Sequence, residues 1–354
     1  MNVKVGIVGC GGIALAQHIP SLISMDNVEV VAVCDILPER AEKVGEKSSA
    51  KHIFTDYNDL IAFKEVDMID ICTPNYLHAP IAIKAMEAGK HVFCEKPDAI
   101  SLEEAIQMKE VSERTGKHLM VVRNNRFGTH SQFIKKYITE GKCGDIYAGR
   151  CGWIRRRGIP GKGGWFTTAK LSGGGPLIDL GVHMIDLAMW FMGNPVPVTV
   201  SGSTYNKFAG ESSTESDSEN AKFGDAVESG TFDVEDLAIG MIRFDNGACL
   251  HLEFSWASNI ESECNFIELR GSKAGIKWHN GKSIIYTEES GALVDISPSL
   301  PAGISSHHKN LEHFISDVII DGKQPIFEPI QGVNMVKILT ALYESARLQR
   351  EIVL

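Results

Sequence analysis

The run GIVGCGGIA, Gly6 to Ala14, leaves this chain fewer ways to fold than any other segment of it. The stretch Val3 to Val8 is apolar and β-branched, which reads as a buried strand, and it runs straight into glycines and then into residues with helical spacing. Gly9 and Gly11 fill the first two positions of G-x-G-x-x-G/A and Ala14 the third, with Gly12 and Ile13 in the same turn. Glycine lets the main chain approach a pyrophosphate closely. The amino end of the helix beyond it offers free N–H groups and a partial positive charge to the same anion. Strand, glycine turn and helix in this order predict the first unit of a doubly wound parallel sheet that binds a dinucleotide.

The first third of the chain continues that pattern. Val28 to Cys34, Met68 to Cys72, His91 to Cys94 and His118 to Val122 are short apolar runs, separated by helical spacing such as Ala79 to Ala88 and Leu102 to Thr115. Alternation of strand and helix argues for a parallel sheet. The second strand ends in VAVCD, which puts Asp35 at a strand end, somewhat further along than the usual twenty or so residues, where a carboxylate accepts hydrogen bonds from a ribose diol. A turn-forming aspartate is the plainer alternative. Ile36 follows Asp35 and supplies no cation for a 2′-phosphate, so NAD is preferred to NADP, with Arg40 as the residue that keeps NADP open.

Lys96-Pro97 closes the run AGKHVFCEKP, Ala88 to Pro97. Val92, Phe93 and Cys94 read as a buried strand and Pro97 stops its continuation, so Lys96 lies at a strand's carboxyl end, where ligands of open α/β sheets bind. Most lysines are solvated surface charges. At this place a lysine is a candidate proton donor or hydroxyl polariser. In GGGPLIDLGVHMIDLAMWFMG, Gly173 to Gly193, a helix starting near Pro176 puts Asp179 and His183 at i and i+4 on one face. A carboxylate and an imidazole one turn apart can act as an acid/base pair. A hydrogen-bonded core histidine is the plainer reading, and Asp186 is an alternative partner for His183.

After Asn124 the pattern changes. Gln132 to Glu140 is helical, and Ile146 to Ile154, Val198 to Tyr205, Leu237 to Phe244, Ala248 to Ser255 and Asn265 to Arg270 read as strands. Asp245-Asn246-Gly247 is a hairpin signal, so this sheet is expected to be mostly antiparallel. Leu311 to Ile320 and Val333 to Gln349 read as closing helices. The acidic, serine-rich Gly210 to Gly230 reads as a surface loop carrying no chemistry. The expected architecture is therefore α/β: a Rossmann domain over 1–123 and a second α/β domain with a mostly antiparallel sheet over 124–354. At 354 residues and 44% hydrophobic the chain can fill two cores.

Several function classes are excluded. The net charge is −10, and Arg155-Arg156-Arg157 is the one basic cluster, which disfavours a nucleic-acid surface. Eight scattered cysteines, none at metal-ligand spacing, argue for a reducing cytoplasm without disulfides or a metal centre. Neither a leader nor a run of about 18 uncharged apolar residues is evident, so no membrane association is expected.

GIVGCGGIA, TPNYLHAP (Thr73 to Pro80), AGKHVFCEKP, GGGPLIDLGVHMIDL and VEDLAIGMIRFDNGA (Val234 to Ala248) occur in the order and approximate spacing seen in the Gfo/Idh/MocA oxidoreductases, which this chain resembles over nearly its whole length. The resemblance implies a C-terminal α/β domain whose open sheet mediates homodimers or homotetramers. It also implies a Lys-Asp-His set mapping to Lys96, Asp179 and His183, and a Lys96–Pro97 bond that is often cis. The activity implied is hydride transfer between a nicotinamide cofactor and a secondary hydroxyl of a sugar, sugar derivative or cyclitol. His183 is then the base, Lys96 the hydroxyl polariser, and Asp179 the positioning carboxylate. Thr73, Pro74 and Asn75 are expected at the cofactor, Asn75 having helix capping as its alternative, together with His78, Glu95, Lys96 and Arg123. Tyr76, Asn125, Arg156 and Trp165 are candidate substrate contacts. The arginines would suit an anionic group, although charges near a strand end are more often solvated, and a loop aromatic such as Trp165 as often anchors its own loop. Two rival functions are a glycosidase that retains NAD and works by transient oxidation and elimination, and a nucleotide sensor without turnover.

Overall fold

In a computed structural model, residues 2–210 and 224–354 are described. Most of the acidic stretch expected as a loop, residues 211–223, lies outside them, and residues 224–230 form exposed coil. The chain divides into two compact units, Met1–Asn124 with Ile304–Val336, and Asn125–Gly303 with Lys337–Leu354. A single boundary after residue 123 misses the return of 304–336 to the first unit. That segment is helical and carries its own apolar face, including Phe314, Ile315 and Val318, so nothing in its composition tells which core it joins.

The first unit is a six-stranded parallel sheet: β1 (Val3–Val8), β2 (Val28–Cys34), β3 (His52–Phe54), β4 (Met68–Ile71), β5 (His91–Cys94) and β6 (Leu119–Val121), in the order β3-β2-β1-β4-β5-β6. Strand order reverses between β1 and β4, which creates the crevice where ligands of doubly wound sheets bind. β1 and β4 are buried along nearly their whole length, as continuous apolar runs covered on both faces must be. β3 is the strand that periodicity missed: three residues flanked by polar turns carry no alternation signal.

The second unit is built on a nine-stranded sheet: β7 (Ile146–Ile154), β8 (Pro197–Tyr205), β9 (Leu237–Phe244), β10 (Cys249–Ser255), β11 (Cys264–Gly271), β12 (Gly275–His279), β13 (Lys282–Glu289), β14 (Ala292–Ile296) and β15 (Ile352–Val353). Their order is β14-β13-β12-β11-β7-β10-β9-β8-β15, and every pairing is antiparallel except β7 with β10. The hairpin at Asp245-Asn246-Gly247 is present as a three-residue loop. Gly247 takes φ +83° and Phe244 N–H donates to the Ala248 carbonyl. A helix packs on this sheet. It opens as a π-helical segment, Leu177–Gly181, and continues as the α-helix Val182–Phe191.

Candidate active site

Within the first unit the glycine loop leaves β1 with Gly9 at φ +94°. A Cβ there would lie 2.6 Å from the Cys72 main chain, so only glycine lets the ends of β1 and β4 come this close. The helix begins at Gly12 and Ile13, and around Gly11 a Cβ would meet no atom within 4 Å. Asp35, at the end of β2, is tied to that loop. Its Oδ2 accepts from Cys10 N–H at 2.8 Å and its Oδ1 from Leu37 N–H at 3.0 Å. At the end of β4, Thr73 Oγ1 is buried with no protein hydrogen-bond partner. Pro74 is half-buried, and Asn75 opens a short 3-10 turn, Asn75–Leu77, which also carries the exposed Tyr76. A positively polarised helix end, a carboxylate at the neighbouring strand end and an unsatisfied buried hydroxyl fit a dinucleotide.

Three further candidates from this unit direct polar atoms to the protein. His78 is fully buried, with Nδ1 2.7 Å from the Pro97 carbonyl and Nε2 2.9 Å from that of Thr73, so it joins the loops after β4 and β5. Burial pulls its pKa down. Arg123, 3% exposed, donates from Nη2 to Asp98 at 2.6 Å and lies over the Phe327 ring. Glu95 belongs to a buried chain of charges. His18, at the end of the π-helical segment Ala14–His18, places Nδ1 2.9 Å from Asp70 Oδ2 and Nε2 2.9 Å from Glu95 Oε1. The other Glu95 oxygen accepts from Lys96 N–H at 3.1 Å.

Burial opposes a charge on His18, but Asp70 against it, with Cys72 adding, raises its pKa well above 6.5. Burial likewise pushes Glu95 up, and the hydrogen bond and charge of His18, with Lys96 adding, bring it down to about 2. The result is an imidazolium between two carboxylates, directly under the peptide that carries Lys96. Lys96 is half-buried and its bond to Pro97 is cis. His18, Asp70 and Cys72 offer ligand atoms within 4.8 Å of one another, the spacing of a metal site. Both ring nitrogens of His18 are already held by carboxylates, and burial pushes the Cys72 thiol up to about 12, so the cluster is built as an ion network.

In the second unit every residue from Gly174 to Phe191 is buried except Asp179 and His183. The amino end of this helix is capped from sixty positions away. Glu235, 7% exposed, accepts from Gly175 N–H at 2.9 Å, from Leu177 N–H at 3.1 Å and from Tyr343 OH at 2.9 Å. Negative charge at a helix amino end is favourable, although burial still holds Glu235 above the ordinary carboxylate value. Gly175 has to be glycine here, since a Cβ would lie 2.1 Å from the Glu235 carbonyl oxygen.

Asp179 falls in the π-helical turn, so the pair predicted on a regular helix stands at a wider turn, a form that recurs at functional sites. The fully buried Trp256, one residue past β10, donates from Nε1 to Asp179 Oδ2 at 2.9 Å. The His183 ring lies 6.0 Å from that of Trp153. Asp186 receives a two-pronged hydrogen bond from Arg126, at 2.8 and 2.6 Å.

The remaining substrate candidates from this unit lie on separate segments of the chain. Asn125 is half-buried in the turn Asn124–Phe127. Trp165 stacks on Phe166 at 3.8 Å. Arg156 is exposed and donates to the Glu261 carbonyl at 3.3 Å, whereas Arg155, its neighbour, is 3% exposed and feels the charge of Asp179. Sequence reading noted Arg155 only as part of the Arg155–Arg157 cluster, and it missed Trp153, Trp256, Glu235, His18 and Asp70. Only Glu235 lay within a quoted motif, and the others carry no local signal.

A Rossmann sheet with a glycine loop and strand-end carboxylate, followed by an α/β unit exposing one Asp/His pair on a buried helix, defines a dinucleotide-dependent oxidoreductase. Comparison with known proteins agrees. A family model described as oxidoreductase family, NAD-binding Rossmann fold matches residues 3–123, and the GFO/IDH/MocA C-terminal domain matches residues 131–277. The chain is 34% identical over 345 residues to D-glucoside 3-dehydrogenase of Escherichia coli (strain K12), covering 97% of this chain and 95% of that protein. It is 30% identical to levoglucosan dehydrogenase of Pseudarthrobacter phenanthrenivorans over 78% of this chain and 73% of that one. A solved levoglucosan dehydrogenase complex with NADH and levoglucosan shares the fold at a TM-score of 0.87 and 23% identity, covering 100% of this chain and 99% of that one. The chain belongs to the GFO/IDH/MocA oxidoreductase family. Among the described residues no helix is long and apolar enough to cross a membrane.

Proposed function

We propose that this protein reversibly oxidises a secondary hydroxyl of a sugar, sugar derivative or cyclitol, with NAD in preference to NADP. The observation that carries the reading is that Asp179 and His183 alone are accessible on an otherwise buried helix. His183 takes the hydroxyl proton, a task suited to an imidazole whose ordinary pKa is near neutrality. Lys96 hydrogen-bonds the same oxygen and stabilises its developing negative charge. Asp179, fixed by Trp256, positions histidine and substrate. The bound nicotinamide supplies the hydride acceptor. Gly9, Gly11, Gly12 and Ile13 hold the pyrophosphate, Asp35 the adenosine ribose, and Thr73 offers its hydroxyl to the same ligand. The relatives named for glucoside and levoglucosan oxidation support a pyranose as the substrate.

A panel of sugars and polyols with NAD or NADP, followed by NADH or NADPH absorbance, tests the reading. Turnover of at least one member is expected with NAD, and loss of that turnover in His183→Ala and in Lys96→Ala. Near-normal turnover in either variant removes its residue from the chemistry, and equal use of NADP removes the cofactor preference. Release of nitrophenol from a nitrophenyl glycoside without net NADH would identify the redox-cycling glycosidase instead.

A further inference from the structure

Three arginines are buried among the described residues: Arg123, Arg126 and Arg155. Arg123 and Arg126 each donate a short, charge-assisted hydrogen bond to a buried aspartate. Arg155 makes none. Its Nη1 donates to the Gly158 carbonyl at 3.0 Å, its guanidinium lies 5.2 Å from the Trp153 ring, and Glu263 stands 3.7 Å from Nε, beyond hydrogen-bond range. Nε itself is buried without a hydrogen-bond partner. A guanidinium removed from water with one donor unsatisfied is costly, and such a group is expected to be completed by a ligand.

Its place in the fold is beside the Asp/His pair. β7 and β10 run parallel with Ile154 opposite Ser255, and Arg155 N–H donates to the Ser255 carbonyl at 3.0 Å. Arg155 and Trp256 therefore leave adjacent strand ends together, and Trp256 holds Asp179. Trp153, under the guanidinium, neighbours the His183 ring and donates from Nε1 to Glu263. Burial lowers the Arg155 pKa, and two carboxylates, Asp179 and Glu263, act against that lowering. Two negative groups thus already face this one cation, Glu263 at 3.7 Å from Nε, which disfavours a further anion.

We propose that Arg155 is a specificity residue that donates to an uncharged oxygen of the substrate, selecting a neutral sugar or cyclitol over one carrying a carboxylate or phosphate at that position. This rests on the protein being a sugar or cyclitol dehydrogenase. It also departs from both expectations for the Arg155–Arg157 cluster, an anionic substrate group or plain solvation.

The test compares wild type, Arg155→Met and Arg155→Lys on methyl glucoside, its 6-phosphate and the corresponding uronate. NADH absorbance reports turnover, and calorimetry in the presence of NAD reports sugar binding. Wild type is expected to favour the neutral glycoside. Arg155→Met should lower kcat/KM for it by about 10- to 100-fold, the effect of losing a hydrogen bond from a charged donor, with Arg155→Lys intermediate and NADH affinity unchanged in both. If Arg155→Met fails to fold, Arg155→Lys against the three sugars decides alone. Unchanged kcat/KM in the variants, or a wild-type preference for the charged sugars, overturns the proposal. Should wild type bind the neutral glycoside without oxidising it, and Arg155→Met lose that binding, the dehydrogenase reading fails and Arg155 keeps its role. Absence of binding to all three overturns the role of Arg155.

Discussion

Replacing His18 with alanine should destabilise the first unit by about 3–5 kcal/mol near pH 6, the cost of leaving buried carboxylates without their cation. The structure gives an independent measure. Glu95 sits at about 2 against an ordinary 4.5, a difference that corresponds to about 3 kcal/mol. Asp70 is 0%, His18 1% and Glu95 6% exposed, so solvent screens this network little. The pH signature has two limbs. A carboxylate lowered in the folded state contributes above its unfolded pKa of 4.5 and loses that contribution as pH falls toward 2. An imidazole raised in the folded state contributes below 6.5 and loses that contribution as pH rises through its elevated folded value.

The gap between wild type and His18→Ala should therefore be widest between about pH 4.5 and 6.5 and close on both sides. His307, which faces Glu95 and His18, is held by burial at about 4 and adds its own acid limb to both proteins. Urea unfolding followed by circular dichroism from about pH 3 to pH 9 measures this, with Glu95→Gln and the double variant completing a cycle. The double variant should cost less than the sum of the singles, because each single change strands the other charge. A His18→Ala cost below about 1 kcal/mol near pH 6, or a gap that is flat across the pH range, would refute the ion network.

Trp256→Phe keeps the ring and removes the N–H held by Asp179, so kcat should fall by roughly tenfold while stability changes by about 1 kcal/mol, as steady-state kinetics and thermal unfolding would show. Glu235→Ala strands two helix N–H groups and the Tyr343 hydroxyl; a loss of about 3 kcal/mol or more is expected by denaturant unfolding, against about 1 kcal/mol for Tyr343→Phe. Thr73→Val replaces a buried hydroxyl that has no protein partner, so the free protein should be no less stable, while NADH affinity measured by fluorescence titration should drop by about tenfold.

Local spacing made much of the first unit legible. A glycine with no alternative at the β1 turn, a carboxylate at the end of β2 and a proline-stopped strand before Lys96 are all constraints between residues close in sequence. The Asp179/His183 pair was legible for the same reason, although the π-helical turn beneath it was not, because only packing against the sheet decides where a helix widens. β3 and β12 to β14 were missed: β3 and β12 are short, although β12 alternates regularly, and β13 and β14 are largely exposed.

What the sequence by itself determined is the chemistry within reach of each short motif: a nucleotide turn, a lysine at a strand end, an acid and a base on one helix. What only the tertiary structure decided is which groups hold those motifs in place. His18 meets Asp70 and Glu95 across 52 and 77 positions, Glu235 meets Gly175 across 60, and Trp256 meets Asp179 across 77. No periodicity encodes such contacts. Arg155 and Arg156 are identical in composition and adjacent in sequence. One is buried beside Asp179 and the other lies in solvent, because the end of a strand turns successive side chains to opposite sides.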